Sequence, residues 1–168
     1  MSIPGLYYQD DIINKDYEMD IIRWIDEQPW NNSLKRRTQH YGYEYNYSSR
    51  SAAKPTTPLN GHILQIADWL SKHNIMQPQQ CIINEYLKNQ GIAAHIDAKS
   101  FGPTIVSISL NEPCNMLMTK GNQEIKLTLM PRSILILSGE ARTQWKHEIN
   151  PVGAVLMNDG STYIKPDN

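Results

Sequence analysis

The chain has 168 residues, the length of one domain with a sizeable core. Its 16 basic and 17 acidic residues leave a formal net charge of −1. That balance excludes a globally basic nucleic-acid binder while leaving room for a local basic patch. Mean hydropathy is negative and no long apolar run is present, which excludes a membrane-spanning helix. The opening "MSIPGLYYQDDIINKDY" lacks the basic-then-apolar order of a secretory signal. Cys81 and Cys114 stand apart, form no CxxC, and read as reduced core thiols in an intracellular protein, cytoplasmic or nuclear.

In chain order, residues 14–28 place Tyr17, Ile21, Trp24 and Ile25 at helical spacing, with acidic residues in the first turns and Pro29 as a stop. Residues 58–73 form a second amphipathic helix, with Thr57 as N-cap and Pro58 in the first helical position. After Gln80 the period shortens. "QCIINEYL", "TIVSISL", "NMLMT", "EIKLTLM" and "SILILSG" read as strands, with Gly121-Asn122 suited to a two-residue hairpin turn. Two helices before five or more antiparallel strands predict a mainly β fold with flanking α, a sandwich or jelly roll buttressed by the two N-terminal helices. In "SISL", Ser107 and Ser109 share a strand face, which is strand architecture rather than chemistry.

The stretch "AAHIDAKS" puts His95 and Asp97 on one side of an extended segment. A third ligand is available fifty residues on, at His147 in "QWKHEI". Two histidines and one carboxylate form the facial triad that holds non-haem Fe(II) and leaves three positions open. The alternative is an ordinary strand histidine, a turn aspartate and a surface histidine. Asn84 and Tyr86, in "NEY", also share a strand face and could line one pocket.

The ordered set "INEYLKNQGIAAHID", "PTIVSISLNEPCNMLM" and "LMPRSILILSGEARTQWKHEI" resembles the AlkB family of Fe(II)/2-oxoglutarate dioxygenases, as do "PGLYYQDDII" and "RRTQHYGYEYNY". The resemblance implies a double-stranded β-helix, with Fe(II), 2-oxoglutarate and O2 as cofactor and cosubstrates. It implies oxidative demethylation or hydroxylation of a base in DNA or RNA. It also assigns His95, Asp97 and His147 to iron, and Asn84 and Tyr86 to 2-oxoglutarate. One domain over 1–168 is expected, with helices and substrate loop in 1–79 and the jelly-roll core in 80–168. A monomer is expected. Arg142 in "GEAR" reads as structural, pairing with a carboxylate or a backbone carbonyl, and Trp145 as packing.

The family's last strand carries two arginines, the first gripping a carboxylate of 2-oxoglutarate through its planar fork. Here no arginine follows Arg142. Lys165 falls about where the first would, and is either the carboxylate's partner or a solvated lysine. The missing arginines leave a second possibility, a catalytically impaired AlkB-like module that binds nucleic acid. In "SLKRRTQHYGYEYNYSSR", Tyr41, Tyr43, Tyr45 and Tyr47 alternate, so one strand would show all four on one face, amid Lys35, Arg36, Arg37 and Arg50. Rings that stack on unpaired bases and cations that hold phosphates suit an enzyme acting on an extruded base. Arg36, Arg37, Tyr41, Tyr43 and Tyr45 are the candidate substrate contacts. The alternative is a hairpin with its tyrosines packed on the core.

Overall fold

A computed structural model describes residues 2–167. The elements run β1 (Leu6–Gln9), α1 (Lys15–Asp26), β2 (Thr38–Tyr41), β3 (Tyr43–Asn46), β4 (Ser51–Pro55), α2 (Gly61–Lys72), β5 (Cys81–Asn84) and β6 (Ile92–His95). A 3-10 turn (Lys99–Phe101) leads to β7 (Ile105–Ser109), β8 (Cys114–Lys120), β9 (Gln123–Leu129), β10 (Ser133–Leu137), α3 (Gly139–Thr143), β11 (Lys146–Ile149), β12 (Ala154–Leu156) and β13 (Thr162–Ile164). The fold is mainly β with flanking helices, the jelly-roll class. No helix among the described residues is long and apolar enough to cross a membrane.

The described residues group into two compact units, one within 2–22, 86–97 and 103–167, the other of 23–85 and 98–102. This grouping differs from the division at 79/80 drawn from element order, because β1 and the start of α1 pack with the later strands.

In the first unit, β1, β10 and β7 form one antiparallel sheet and β6, β11, β8 and β9 another. Their inward side chains build the core, with Met116 and Met118 from β8 packing with Leu135 and Leu137 from β10. Trp145, 3 % exposed, and Ala141 complete it, so Trp145 is packing, as its sequence context suggested. Glu18 is buried on α1, where it accepts from the Arg132 guanidinium at 2.9 Å and from the Asn111 backbone N–H at 2.9 Å. Lys120 pairs with Gln123, which places Gly121-Asn122 in the expected two-residue turn. After Ile149 the chain continues into a two-stranded hairpin, β12 and β13, and Lys165 directly follows it.

Two short elements that escaped the sequence reading are β1, four residues long, and α3, with five, too few for any periodicity to show. The second helix begins at Gly61, not at Pro58. The Asn60 amide donates back to the Pro58 carbonyl at 2.8 Å, closing a turn that keeps this segment out of the helix. Thr57 is therefore no cap.

Gly91 lies against the strand that carries His147. A Cβ added there would meet the Ile149 carbonyl oxygen at 2.0 Å, a backbone atom that cannot rotate away. Gly91→Ala is expected to force β6 from β11, at a cost of about 1–3 kcal/mol. A lowered denaturant midpoint with an unchanged slope checks this.

In the second unit, β2 pairs with β5 and β3 with β4. α2 buries Ile63, Ala67 and Leu70, and Ile25 and Tyr41 are buried as well. The Gln39 amide donates to the Ile25 carbonyl at 2.9 Å and accepts from the Tyr41 hydroxyl at 2.6 Å.

Candidate active site

The antiparallel ladder between β6 and β11 sets His147 directly opposite His95. Directly opposed residues bring their side chains together, and the two imidazole centroids lie 4.3 Å apart. Asp97 is two residues past His95, beyond the end of β6, and its carboxylate reaches both rings. Oδ1 lies 3.3 Å from His95 Nε2 and Oδ2 3.6 Å from His147 Nε2. One ligand atom from each of the three lies within 4.8 Å of the others.

His95 Nδ1 is 2.7 Å from the Ala93 carbonyl oxygen. A carbonyl only accepts, so Nδ1 carries a proton, and Nε2 is the nitrogen that faces Asp97. Burial works against the charged form of Asp97. The imidazole hydrogen bonds of His147 and His95 outweigh it and hold the carboxyl well below the usual carboxylate range. An ionised oxygen set against two imidazole nitrogens calls for a positive charge between them, either a proton or a divalent cation. Two nitrogens, one anionic oxygen and a ring tautomer fixed by a backbone carbonyl fit a resident Fe(II).

Arg142, 5 % exposed, donates through Nη1 to the Asp97 carbonyl at 2.7 Å, so it pairs with a backbone carbonyl as its sequence context suggested. Lys165 is not a solvated lysine. It is 8 % exposed, and its ammonium donates to the Tyr86 carbonyl at 3.3 Å. Lys165 thus meets Tyr86, which the resemblance ties to 2-oxoglutarate. Lys165 also acts on the Cys114 thiol, which burial still pushes up to about 11. Burial pushes the Cys81 thiol up to about 12, and both cysteines are free.

Asn84, in the second unit, ends β5 opposite Thr38, and its amide oxygen accepts from Arg36 Nε at 3.2 Å. The guanidinium of Arg36 lies 5.7 Å over the Tyr47 ring.

The tyrosine stretch differs from the single strand face expected. Gly42, at φ +82°, bends the chain between β2 and β3, and a bulge at Glu44/Tyr45 shifts the register again. Tyr41 turns inward, 4 % exposed and 5.9 Å from the Trp24 ring, so it cannot stack on a base. Arg37 is committed elsewhere. Its guanidinium forms a fork with Glu85 at 2.7 and 3.0 Å and lies 4.3 Å over Trp30, so it is not a ready phosphate contact. Tyr43 is 39 % and Tyr47 37 % exposed. Tyr45, half-buried, packs on Tyr47 and on Phe101, each at 4.9 Å. Neither Phe101 nor Trp30 carried a sequence signal, since each joins its partner only through the fold.

A family model for the 2OG-Fe(II) oxygenase superfamily matches residues 16–160. The chain belongs to this superfamily. Its relatives place it among the AlkB-type members. It is 35 % identical to the tRNA (carboxymethyluridine(34)-5-O)-methyltransferase ALKBH8 of Macaca fascicularis, over 87 % of this chain and 24 % of that protein. It is 32 % identical to the Arabidopsis thaliana alkylated DNA repair protein ALKBH8 homolog, over 89 % of this chain and 51 % of that one. It thus spans between a quarter and a half of these relatives' length. Among solved structures, OsALKBH1 superposes with a TM-score of 0.73 at 18 % identity, covering 92 % of this chain and 88 % of that one, which shows the shared fold. The 2OG-Fe(II) oxygenase chain is therefore a dioxygenase domain of the class that uses Fe(II), 2-oxoglutarate and O2.

Proposed function

We propose that this domain oxidises a base in nucleic acid, demethylating or hydroxylating it, with iron held by His95, Asp97 and His147. The observation that carries the reading is the convergence of these three side chains from two paired strands and the turn after one of them. When bound, the iron and 2-oxoglutarate supply the oxidising chemistry, consuming O2 and releasing succinate and CO2. His95 and His147 offer neutral nitrogens and Asp97 one negative charge. Lys165, with Asn84 and Tyr86 from the "NEY" motif, is assigned to 2-oxoglutarate.

Support for the substrate class comes from the relatives. The plant homologue is a DNA repair protein by name. A Caenorhabditis elegans relative, 26 % identical over 89 % of this chain and 55 % of that one, is a DNA N6-methyl adenine demethylase. Tyr43 and Tyr47 offer exposed rings for stacking, and Arg36, over the Tyr47 ring, offers a phosphate contact. A monomer and an intracellular location belong to the same reading.

Lys165, standing about where the resemblance puts an arginine, favours one second reading, a domain that binds nucleic acid without turnover. Incubation with Fe(II), 2-oxoglutarate and methylated single-stranded DNA or RNA separates the two. Succinate with formaldehyde, both absent for His95→Ala, supports the enzyme. Oligonucleotide binding without succinate supports the binding module.

A further inference from the structure

The sheet places two of the three candidate ligands and leaves the third unplaced. His95 and His147 are cross-strand partners, so the β6–β11 ladder holds both imidazoles. β6 ends at His95, and Asp97 sits in irregular backbone beyond it. A carboxylate ligand must be held within a few tenths of an ångström to complete a facial site, and a residue outside the ladder needs another anchor. That anchor comes from α3. Its Arg142 is almost fully buried and donates to the Asp97 carbonyl at 2.7 Å, the short distance of a charge-assisted hydrogen bond.

α3 is itself firmly seated. The Ala141 backbone N–H donates to the Pro4 carbonyl at 3.0 Å, Ala141 is 1 % exposed, and the Trp145 indole donates to Glu140 at 2.9 Å. The same short segment runs on into β11 and His147. One rigid piece of chain therefore fixes the third ligand while delivering the second.

We propose that Arg142 is a positioning residue for the metal, holding the Asp97 backbone so that its carboxylate faces the two imidazoles. The inference rests on the reading of His95, Asp97 and His147 as the iron site, and goes beyond it by naming what keeps that site in register.

The test measures Ni(II) affinity by calorimetry, since Ni(II) binds imidazole pairs tightly enough to be followed when a ligand is removed. The proteins are wild type, Arg142→Gln, Arg142→Lys, Asp97→Ala and the double variant Asp97→Ala/Arg142→Gln. Thermal unfolding of each metal-free protein is recorded in parallel, and affinities are compared below the lowest transition. Arg142→Gln is expected to weaken Ni(II) binding by about 10- to 100-fold, as loss of a ligand's outer partner does. Arg142→Lys, which keeps a charged donor, should lose less. In the Asp97→Ala background the same Gln substitution should change affinity by less than about twofold, because the effect runs through Asp97.

Equal Ni(II) affinity for Arg142→Gln and wild type, even with a lowered unfolding temperature, overturns the inference and leaves Arg142 a fold residue. So does an equal loss with and without Asp97, which would mark a general charge effect. A wild-type protein that binds no Ni(II) overturns the iron-site reading itself, and that result is read before any Arg142 variant is compared.

Discussion

Asp97→Ala is expected to lower divalent-metal affinity by more than about 100-fold and to abolish succinate formation, with the fold retained. The size follows from what Asp97 contributes. It is the one anionic ligand of the three, and removing even a partner behind a ligand costs 10- to 100-fold. Its carboxylate touches both imidazoles, so its loss leaves two neutral nitrogens that no longer share an oxygen between them. The fold should survive, because the Arg142 hydrogen bond is to the Asp97 backbone carbonyl, which alanine keeps. Mn(II) titration followed by electron paramagnetic resonance, with circular dichroism as the control, checks both halves. Undiminished Mn(II) binding by Asp97→Ala would move the metal elsewhere.

The second large effect concerns Lys165. A buried ammonium is costly unless it is paired. Among the described residues the hydrogen bond recorded for Lys165 goes to a backbone carbonyl, Tyr86 O at 3.3 Å, with no carboxylate beside it. An ammonium has three donors, so this one is suited to an anionic ligand. Lys165→Met is expected to weaken 2-oxoglutarate binding by about 10- to 100-fold, the worth of one charge-assisted hydrogen bond. Stability in the absence of 2-oxoglutarate should stay level or rise, since a poorly compensated buried charge is replaced by an apolar side chain of similar length. Lys165→Arg should retain most of the affinity through its two-pronged geometry, provided the guanidinium fits. Calorimetry on the Mn(II)-loaded protein, with thermal melts, reads all three. Unchanged 2-oxoglutarate affinity in Lys165→Met would remove it from the cosubstrate site and strengthen the reading of a binding module without turnover.

The tyrosine segment shows the limit of a periodic pattern. Alternation over Tyr41, Tyr43, Tyr45 and Tyr47 is a correct deduction for one straight strand. Gly42 and the bulge after Glu44 break that premise, so Tyr41 goes to the interior while Tyr43 and Tyr47 face solvent. The adjacent arginines divide for a similar reason. Glu85 and Trp30 are remote or off-pattern in sequence, yet they claim Arg37 and leave Arg36 at Asn84 and Tyr47.

The amino-acid order alone determined the fold class, the two longer helices, the Gly121-Asn122 hairpin and the identity of the three candidate metal ligands. These rest on short-range periodicity, on turn chemistry and on an ordered set of motifs, all of which are local. Only the tertiary structure decided the rest. It set His147 opposite His95 through strand register, buried Lys165 against Tyr86, and brought Arg142 to the Asp97 carbonyl across a separation of 45 residues. The physical reason is the same in each case. Ladder register and burial depend on which distant segments pair, and side-chain chemistry read along the chain carries no record of that pairing.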